Sequence, residues 1–305
     1  MQLTLSARPP FRFRSVLQSH GWVQLAPLQW EEETGLLHLP LQLSEGTVVP
    51  LTISGDDDAV VVTSNELLSQ AEADEIAGKV AWMFNLDADF DEFYQLADQE
   101  PRLAHTRQHG HGRLLRSPTL FEDVVKVMAT TNIQWGGTKR LVRKLVERFG
   151  APLPAEENVR AFPSAEAIAA SDEAILRGLG WGYRSPYLLK LANDVVNGLF
   201  DLDALRHSPL ATPDLRKLLL KLPGIGPYAA ATLLGLLGRY DYIGVDTEAV
   251  AIVSKHFYNG ETVGAKEIDI VFARWGKYKS LAYWFWDYAG TQQAPMAAWE
   301  EAQQA

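Results

Sequence analysis

The run Pro223-Gly-Ile-Gly-Pro227 separates two helical stretches and constrains the fold more than any other part of the sequence. Asp214–Leu222 before it is amphipathic, and Pro227 suits the first position of the apolar helix that follows. Two glycines around one apolar residue leave backbone N–H groups uncovered at a helix N-terminus, where a phosphate can approach closely. The run therefore predicts a tight helical hairpin, either a phosphate-binding turn or a plain connector.

The spacing of apolar residues changes near Thr63. Before it, short β-prone runs are separated by turn residues. These runs are Trp22–Leu25, Leu36–Leu43, Val48–Ile53 and Val60–Thr63. After it, apolar residues recur at helical spacing, and Ser117 followed by Pro118 predicts the start of one helix. We therefore predict a mostly helical α+β fold that begins with an antiparallel β-sheet.

Charge is distributed unevenly along the chain. The net charge is −13 over residues 1–100, +7 over residues 101–150 and −4 over the remainder, which gives −10 overall. A polyanion responds to the local field, so the basic segment allows a nucleic-acid partner despite the acidic total. The alternative is that its basic residues, such as Arg140 and Arg148, only form the solvated face of a helix.

Several classes of site are excluded by composition. The chain has no cysteine, which rules out disulfides, thiolate zinc sites, thiol nucleophiles and cysteine-bound iron–sulfur clusters. No apolar stretch is long enough to span a bilayer, and the N-terminus is unlike a signal peptide. We expect a cytoplasmic protein without membrane contact.

A single aspartate stands out downstream of the hairpin. Asp246 follows the short run Tyr242-Ile-Gly-Val and is most simply the N-cap of a helix. Taken together, Leu222-Pro-Gly-Ile-Gly-Pro227 and Val245-Asp-Thr247 resemble the signature of the helix-hairpin-helix DNA glycosylase superfamily. In that family the hairpin holds a DNA phosphate, and the aspartate assists cleavage of the glycosidic bond.

The resemblance extends over most of the chain. Residues 121–150, Leu179–Arg184 and Phe272–Trp286 are similar to segments of DNA-3-methyladenine glycosylase II and 8-oxoguanine glycosylases. The resemblance implies a β lobe over residues 1–75, a helical lobe over 76–115 plus 240–305, and a hairpin-bearing helical lobe over 116–239. An active-site cleft is expected between the two helical lobes.

Roles follow residue by residue from the resemblance. Asp246 would be the catalytic carboxylate, which stabilises an oxocarbenium-like sugar and orients a water. Asn132 would enter the gap left by the flipped nucleotide, or else only satisfy backbone groups. The other implied contacts are DNA at Gly224, Gly226, Tyr183, Arg184 and Tyr228, the base at Tyr283, Trp286 and Asp287, and a monovalent cation at the carbonyls of Leu220, Leu222 and Ile225. Tyr183 could equally belong to the core, and Asp287 would attract a cationic base.

Two departures from the family narrow the expected reaction. Bifunctional members have a lysine two residues after the second hairpin glycine, where this chain has Tyr228, and Lys221 lies on the wrong side of the hairpin. The four cysteines of the cluster-bearing branch are also missing. We therefore predict a monofunctional glycosylase without cofactor or catalytic metal, acting on alkylated purines.

Alternatives remain at this level. Gly182-Tyr-Arg184 suggests excision of oxidised purines, and Glu248, an unusual residue two positions after the aspartate, suggests a non-catalytic DNA-binding protein. The expected partner is double-stranded DNA with a damaged base, bound by a monomer. His109 and His111 are expected in a solvated loop without metal. Tryptophans 82, 275, 284 and 286 are expected mostly in the core.

Overall fold

The computed structural model describes residues 1–286 of the chain. Its N-terminal part is an antiparallel sheet, as the alternating sequence predicts. The strands are β1 (Gln2–Ser6), β2 (Gln29–Glu31), β3 (Leu36–Gln42), β4 (Val48–Gly55) and β5 (Ala59–Thr63). They lie in the order β1-β5-β4-β3-β2. The strands β2 to β5 therefore pair in their order along the chain, as β2 with β3, β3 with β4 and β4 with β5.

One face of this sheet is buried. Val49, Leu51 and Ile53 of β4 are at most 1% exposed, and the residues between them are less covered, which is the period of two expected of a half-buried strand. This face packs on two helices, α1 (Phe13–Leu17) and α2 (Gln70–Phe84). Ser69 and Glu72 form a reciprocal capping box that fixes where α2 begins.

The remainder of the described chain is helical, apart from a small hairpin of β6 (Pro152–Leu153) and β7 (Glu156–Arg160). The helices are α3 (Asp91–Ala97), α4 (His105–Gln108), α5 (Leu120–Thr130), α6 (Trp135–Phe149), α7 (Ala165–Ala169), α8 (Glu173–Gly178), α9 (Ser185–Val196), α10 (Leu202–Arg206), α11 (Thr212–Leu219), α12 (Pro227–Leu236), α13 (Thr247–Phe257), α14 (Ala265–Phe272) and α15 (Lys279–Trp284). Three short 3-10 helices span Gly21–Gln24, Gly182–Arg184 and Ala273–Tyr278.

Two large apolar clusters hold these elements together. The first joins the sheet, α1 and α2 to the helices from α5 to α12. The second contains residues of α3, α13, α14 and α15, including Phe93, Val253 and Phe272. Residues 240–286 therefore pack with residues 90–103, far apart in sequence. The division of the chain into three lobes stays a prediction.

Two local predictions are wrong, and both segments donate hydrogen bonds to one buried carboxyl, that of Asp123. Trp22–Leu25 forms most of a 3-10 helix instead of a strand, and the indole of Trp22 donates a hydrogen bond to Asp123 at 2.8 Å. Ser117 does not cap α5, because the helix begins only at Leu120; the backbone N–H of Ser117 donates to the same carboxylate oxygen at 2.9 Å. Thr119 caps the helix instead and accepts the N–H of Glu122 at 3.2 Å.

None of the helices within residues 1–286 is long and apolar enough to cross a membrane.

Candidate active site

The predicted hairpin connects α11 to α12. Helix α11 ends at Leu219, three residues earlier than the amphipathic pattern suggests, and Pro227 begins α12 as expected. Ile225 between the glycines is 5% exposed and donates its N–H to the carbonyl of Leu222 at 3.1 Å. The apolar residue therefore anchors the turn in the core. Cation binding by the hairpin carbonyls stays a prediction.

The two hairpin glycines differ in what surrounds them. Gly224 has φ +76°, and a Cβ there would lie 2.9 Å from Cβ of Tyr187 and 3.2 Å from Cε of Met128. Gly226 has φ −92°, and a Cβ there would meet nothing within 4 Å. Gly224 is therefore required by the backbone and its packing, whereas the space in front of Gly226 is open.

Asp246 is the N-cap of α13, as predicted. Its Oδ1 accepts the backbone N–H of Ala249 at 2.8 Å and lies 3.3 Å from the hydroxyl of Tyr283. Burial raises the pKa of this carboxyl, and the hydrogen bonds from Ala249 and Tyr283 oppose that shift. Asp246 is therefore a helix cap, as its simplest interpretation predicts, and its role as the catalytic carboxylate stays a prediction.

Tyr228 occupies the first turn of α12. Its ring packs on the chain before Asp246, since a Cβ on Gly244 would lie 3.2 Å from Cδ2 of the tyrosine. Burial, followed by the negative charge of Asp246, raises the pKa of the Tyr228 hydroxyl to about 12, although hydrogen bonds to Thr232 and Thr130 oppose the shift. The phenol is therefore neutral at physiological pH.

Glu248 adds a second carboxyl to this region. It lies in the first turn of α13 and is half-buried. Burial and the charge of Asp246 raise its pKa to about 7. Burial also raises the pKa of Tyr283 far above its usual value, with further contributions from Asp246, Glu248 and Tyr228.

These four side chains, Asp246, Glu248, Tyr228 and Tyr283, form what we call the carboxyl–tyrosine cluster. Within the described residues, no lysine, arginine or histidine is among the groups that shift the pKa of any member. The cluster therefore combines two carboxyls with two tyrosine hydroxyls and no basic side chain among the described groups that shift these pKa values. The sequence marked Glu248 as unusual but did not indicate that it belongs to the site.

A second predicted group lies at the end of α5. Asn132 has φ +49°, and its side-chain amide donates to the hydroxyl of Tyr183 at 3.2 Å. Tyr183 is 51% exposed, so it is a surface residue and not part of the core. Arg184 is only 5% exposed; it donates to the carbonyl of Thr131 and stacks on the Tyr183 ring. Arg184 thus braces the Asn132 turn, and its expected contact with the duplex stays a prediction.

Tyr187 was missed in the sequence. It is 46% exposed, follows Tyr183 by four residues and lies against Gly224 of the hairpin. Exposed aromatic rings next to a tight turn mark a contact surface. A helical spacing of four from Tyr183 was the one signal that could have indicated it.

The predicted base pocket is only partly as expected. Tyr283 lies beside Asp246, but Trp286 is 3% exposed and packs edge-on against Trp275 and Phe272, so it belongs to the second apolar cluster. Tyr283 is almost as buried, at 5%, so the contact of both residues with the base stays a prediction. Asp287 lies outside the described residues.

The histidine prediction also needs correction. His111 is 6% exposed and its ring stacks on Phe285 at 5.0 Å, so it lies in the interior and not in a solvated loop. Burial lowers its pKa to about 3. No group of metal-binding side chains is found within residues 1–286.

Comparison with known proteins agrees with this geometry. Residues 125–277 match the family described as HhH-GPD superfamily base excision DNA repair protein. A DNA-3-methyladenine glycosylase of Bacillus subtilis is 23% identical over 269 residues, which are 84% of this chain and 87% of that protein.

Two solved structures have the same fold. The 3-methyladenine DNA glycosylase from Archaeoglobus fulgidus superposes with a TM-score of 0.75 at 21% identity, covering 94% of this chain and 98% of that one. The 8-oxoguanine glycosylase/lyase of Clostridium acetobutylicum superposes with a TM-score of 0.74 at 18% identity, covering 95% and 96%. At these identities the likeness shows the architecture.

Proposed function

This chain belongs to the HhH-GPD superfamily of base excision DNA repair proteins, and we propose that it is a monofunctional DNA glycosylase. It would hydrolyse the bond between a damaged purine and its deoxyribose and leave the strand intact. The observation that carries this proposal is the position of Asp246, half-buried at a helix N-terminus and bonded to Tyr283.

Duplex binding is proposed at the hairpin and the Asn132 turn. The open face of Gly226 lets a phosphate approach the start of α12, where backbone N–H groups and the helix dipole favour an anion. Asn132 and Tyr183 form an exposed polar and aromatic edge that would enter the stack when a nucleotide is flipped out. All these groups come from one chain, so we propose that a monomer suffices.

The proposed chemistry centres on Asp246. As the glycosidic bond breaks, positive charge develops on the sugar, and a carboxylate held in a partly dehydrated pocket stabilises that charge. The same carboxylate can accept a proton from the attacking water. The hydroxyl of Tyr283, which stays protonated, holds the carboxylate in place.

Hydrolysis without strand cleavage is supported by Tyr228. An amine is needed to form an imine with the sugar, and a phenol cannot replace it. Tyr228 fills this position with its ring against the backbone at Gly244.

The carboxyl–tyrosine cluster would favour a positively charged base. Purines alkylated at N3 or N7 carry a positive charge, and both the Asp246–Glu248 pair and the tyrosine faces attract cations. We therefore propose alkylated purines as the substrates. Oxidised purines are the second candidate, favoured by the exposed Tyr183 that Arg184 braces beside Asn132.

The test is excision from duplexes that each carry one lesion: 7-methylguanine, 3-methyladenine, hypoxanthine, 8-oxoguanine or none. We expect release of the alkylated bases, with products that break only after alkali. Asp246→Asn serves as the inactive control. Binding of all duplexes without release of any base would instead indicate a non-catalytic DNA-binding protein.

A further inference from the structure

We propose that the exposed face of α6 is a second contact surface for duplex DNA, which holds the phosphate backbone beside the lesion. Its centre is a row of three cations spaced four residues apart, Arg140, Lys144 and Arg148, which we call the basic stripe. The inference rests on the proposed glycosylase function. It adds to the hairpin and the Asn132 turn a partner surface that neither of them contains.

The first argument is the charge of α6. The helix has five basic side chains and one acidic side chain, although the whole chain has a net charge of −10. The acidic residue, Glu147, is already bonded to Arg143 at 2.7 Å. An acidic protein that binds a polyanion must do so through a region of local positive charge. The exposed face of α6 is such a region.

The second argument is that the stripe has no partner of its own. Arg140, Lys144 and Arg148 are exposed, and none of them forms an ion pair within residues 1–286. By contrast, Arg8 and Arg14 in the N-terminal part of the chain are bonded to carboxylates at 2.6 and 2.7 Å. A cation without a carboxylate partner can bind a phosphate without first breaking an ion pair.

The third argument is the position of Arg140 next to the Asn132 turn. Helix α6 begins at Trp135, three residues after Asn132. The Arg140 guanidinium extends back along the first turn, where Nη1 would lie 3.9 Å from a Cβ on Gly136 and Nη2 3.9 Å from a Cβ on Gly137. This is the usual direction of a helical side chain, towards the N-terminus. Arg140 therefore brings its charge to the end of α6 that adjoins the turn.

The hairpin lies at the same end of α5. A Cβ on Gly224 would be 3.2 Å from Cε of Met128 in the last turn of α5, and Asn132 follows Met128 by four residues. The hairpin, the Asn132 turn and the start of α6 therefore all border the C-terminal end of α5. A duplex bound at the first two comes within reach of Arg140. The stripe then extends about 12 Å further along α6, to Arg148.

The role of the stripe follows from its chemistry. Contacts to phosphate position a protein on the duplex and carry no sequence information. Each cation that neutralises a phosphate also releases a condensed counterion, so that affinity falls more steeply with salt. The stripe should therefore set the affinity and its salt dependence alike for damaged and undamaged DNA.

The experiment measures the affinity for an undamaged duplex over a range of sodium chloride concentrations. Wild type is compared with the double variant Arg140→Gln/Lys144→Gln and with a matched control, Arg8→Gln/Arg14→Gln, which removes the same charge from exposed residues that are already paired. For the stripe variant, the slope of log affinity against log salt should become shallower by about 1.8, or about 0.9 for each lost contact. Its affinity in about 50 mM salt should fall at least about tenfold. The control should keep the wild-type slope.

Single substitutions test whether the stripe acts through its charge. Arg140→Gln alone should make the slope shallower by about 0.9, and Arg140→Lys, which keeps the charge, should restore it. Adding Arg148→Gln to the double variant should change the slope by about another 0.9. Far-ultraviolet circular dichroism checks that each variant is folded, and the single variants keep the test open if the double variant is not.

Two results would overturn the inference and leave the proposed function intact. One is an unchanged salt slope in both Arg140→Gln and the double variant, and the other is an equal change in the control, which would show an effect of net charge alone. Either result would assign the stripe to the solvated face of a helix. A wild-type protein that binds duplex through the stripe but releases no damaged base would instead refute the glycosylase proposal and keep the contact surface.

Discussion

The hydroxyl of Tyr283 on α15 lies 3.3 Å from Oδ1 of Asp246 at the start of α13, so two helices that are distant along the chain meet at one carboxylate oxygen. Tyr283 is 5% exposed, and its pKa is far above its usual value, so it remains a donor over the whole physiological range. The Asp246 carboxylate is therefore held by two hydrogen bonds, one from the backbone N–H of Ala249 and one from the side-chain hydroxyl of Tyr283.

Asp246→Asn is expected to abolish base release while DNA binding stays near that of wild type. Loss of the charge removes the stabilisation of the sugar cation, typically a hundredfold or more in rate. Asparagine is an equally good N-cap, so the helix should not unravel. Single-turnover kinetics and a binding titration on the same duplex measure the two effects. Turnover close to wild type would mean that Asp246 is only a cap.

Tyr283→Phe should slow base release by about tenfold, the effect of one lost hydrogen bond to a charged group. The hydrogen bond lowers the pKa of Asp246, so its loss should move the acidic limb of the pH–rate profile to higher pH. The profile on 7-methylguanine DNA tests this. Because loss of packing alone would not move the limb, an unshifted profile with a slower rate would assign Tyr283 to packing.

Borohydride added during turnover should trap no covalent protein–DNA species, since Tyr228 cannot form an imine. Tyr228→Phe should still release the base, because the hydroxyl takes no part in the proposed chemistry. Denaturing gel electrophoresis of labelled duplex detects both outcomes. A trapped adduct would identify a lysine elsewhere as nucleophile, with Lys255 on α13 the first to replace.

The parts of this structure that were predictable depend on local signals. The β-prone runs that became β3 to β5, the hairpin glycines, Pro227 at a helix start and Asp246 at a cap all follow from the preferences of a few neighbouring residues. The residue preferences of turns and caps depend on neighbours within about one helical turn, so they can be predicted from a single sequence.

The predictions that failed concern residues whose structure depends on contacts with residues distant in sequence. Ser117 has the chemistry of a cap, but it lies two residues before the N-cap Thr119, where its backbone N–H bonds the buried carboxyl of Asp123. His111 has a type that suits a solvated loop, yet its ring is buried and stacks on Phe285, which is distant in sequence. The raised pKa of Glu248 likewise depends on burial by elements that the pattern of one helix does not contain.

Glu248→Gln should stabilise the protein in a pH-dependent way. The ordinary pKa of glutamate is 4.5 and that of folded Glu248 about 7, so the folded state keeps a proton that the unfolded state has lost. Stability of the wild type therefore falls as pH rises from about 4.5 to about 7. After allowance for partial exposure of the side chain, we expect the variant to be more stable by about 1–2 kcal/mol at pH 8.

Urea unfolding at pH 4.5 and pH 8 measures this difference. The gain should be small at pH 4.5, where the folded carboxyl is protonated and the unfolded one is half-protonated, and complete at pH 8. Glu261→Gln is the control for a lost surface charge. An equal gain at both pH values would show that the substitution acts through something other than the titration of Glu248.

The two hairpin glycines should separate folding from DNA binding. Gly226→Val adds a side chain to open space at a backbone conformation that valine can adopt, so the fold should be retained. The same side chain blocks a phosphate from the start of α12, so affinity for damaged and undamaged duplex should fall alike. The slope of log affinity against log salt should become shallower by about 0.9, the value for one phosphate contact.

Gly224→Ala is the matched variant with the opposite expectation. Its φ of +76° and the nearby Tyr187 and Met128 atoms mean that a methyl group strains the turn, so unfolding should become easier by about 1–2 kcal/mol. Thermal unfolding and duplex titration over a range of salt concentrations are measured for both variants. If the hairpin binds a phosphate, blocking its N–H groups must weaken DNA binding. A Gly226→Val variant with unchanged affinity and salt slope would therefore show that the hairpin is only a connector.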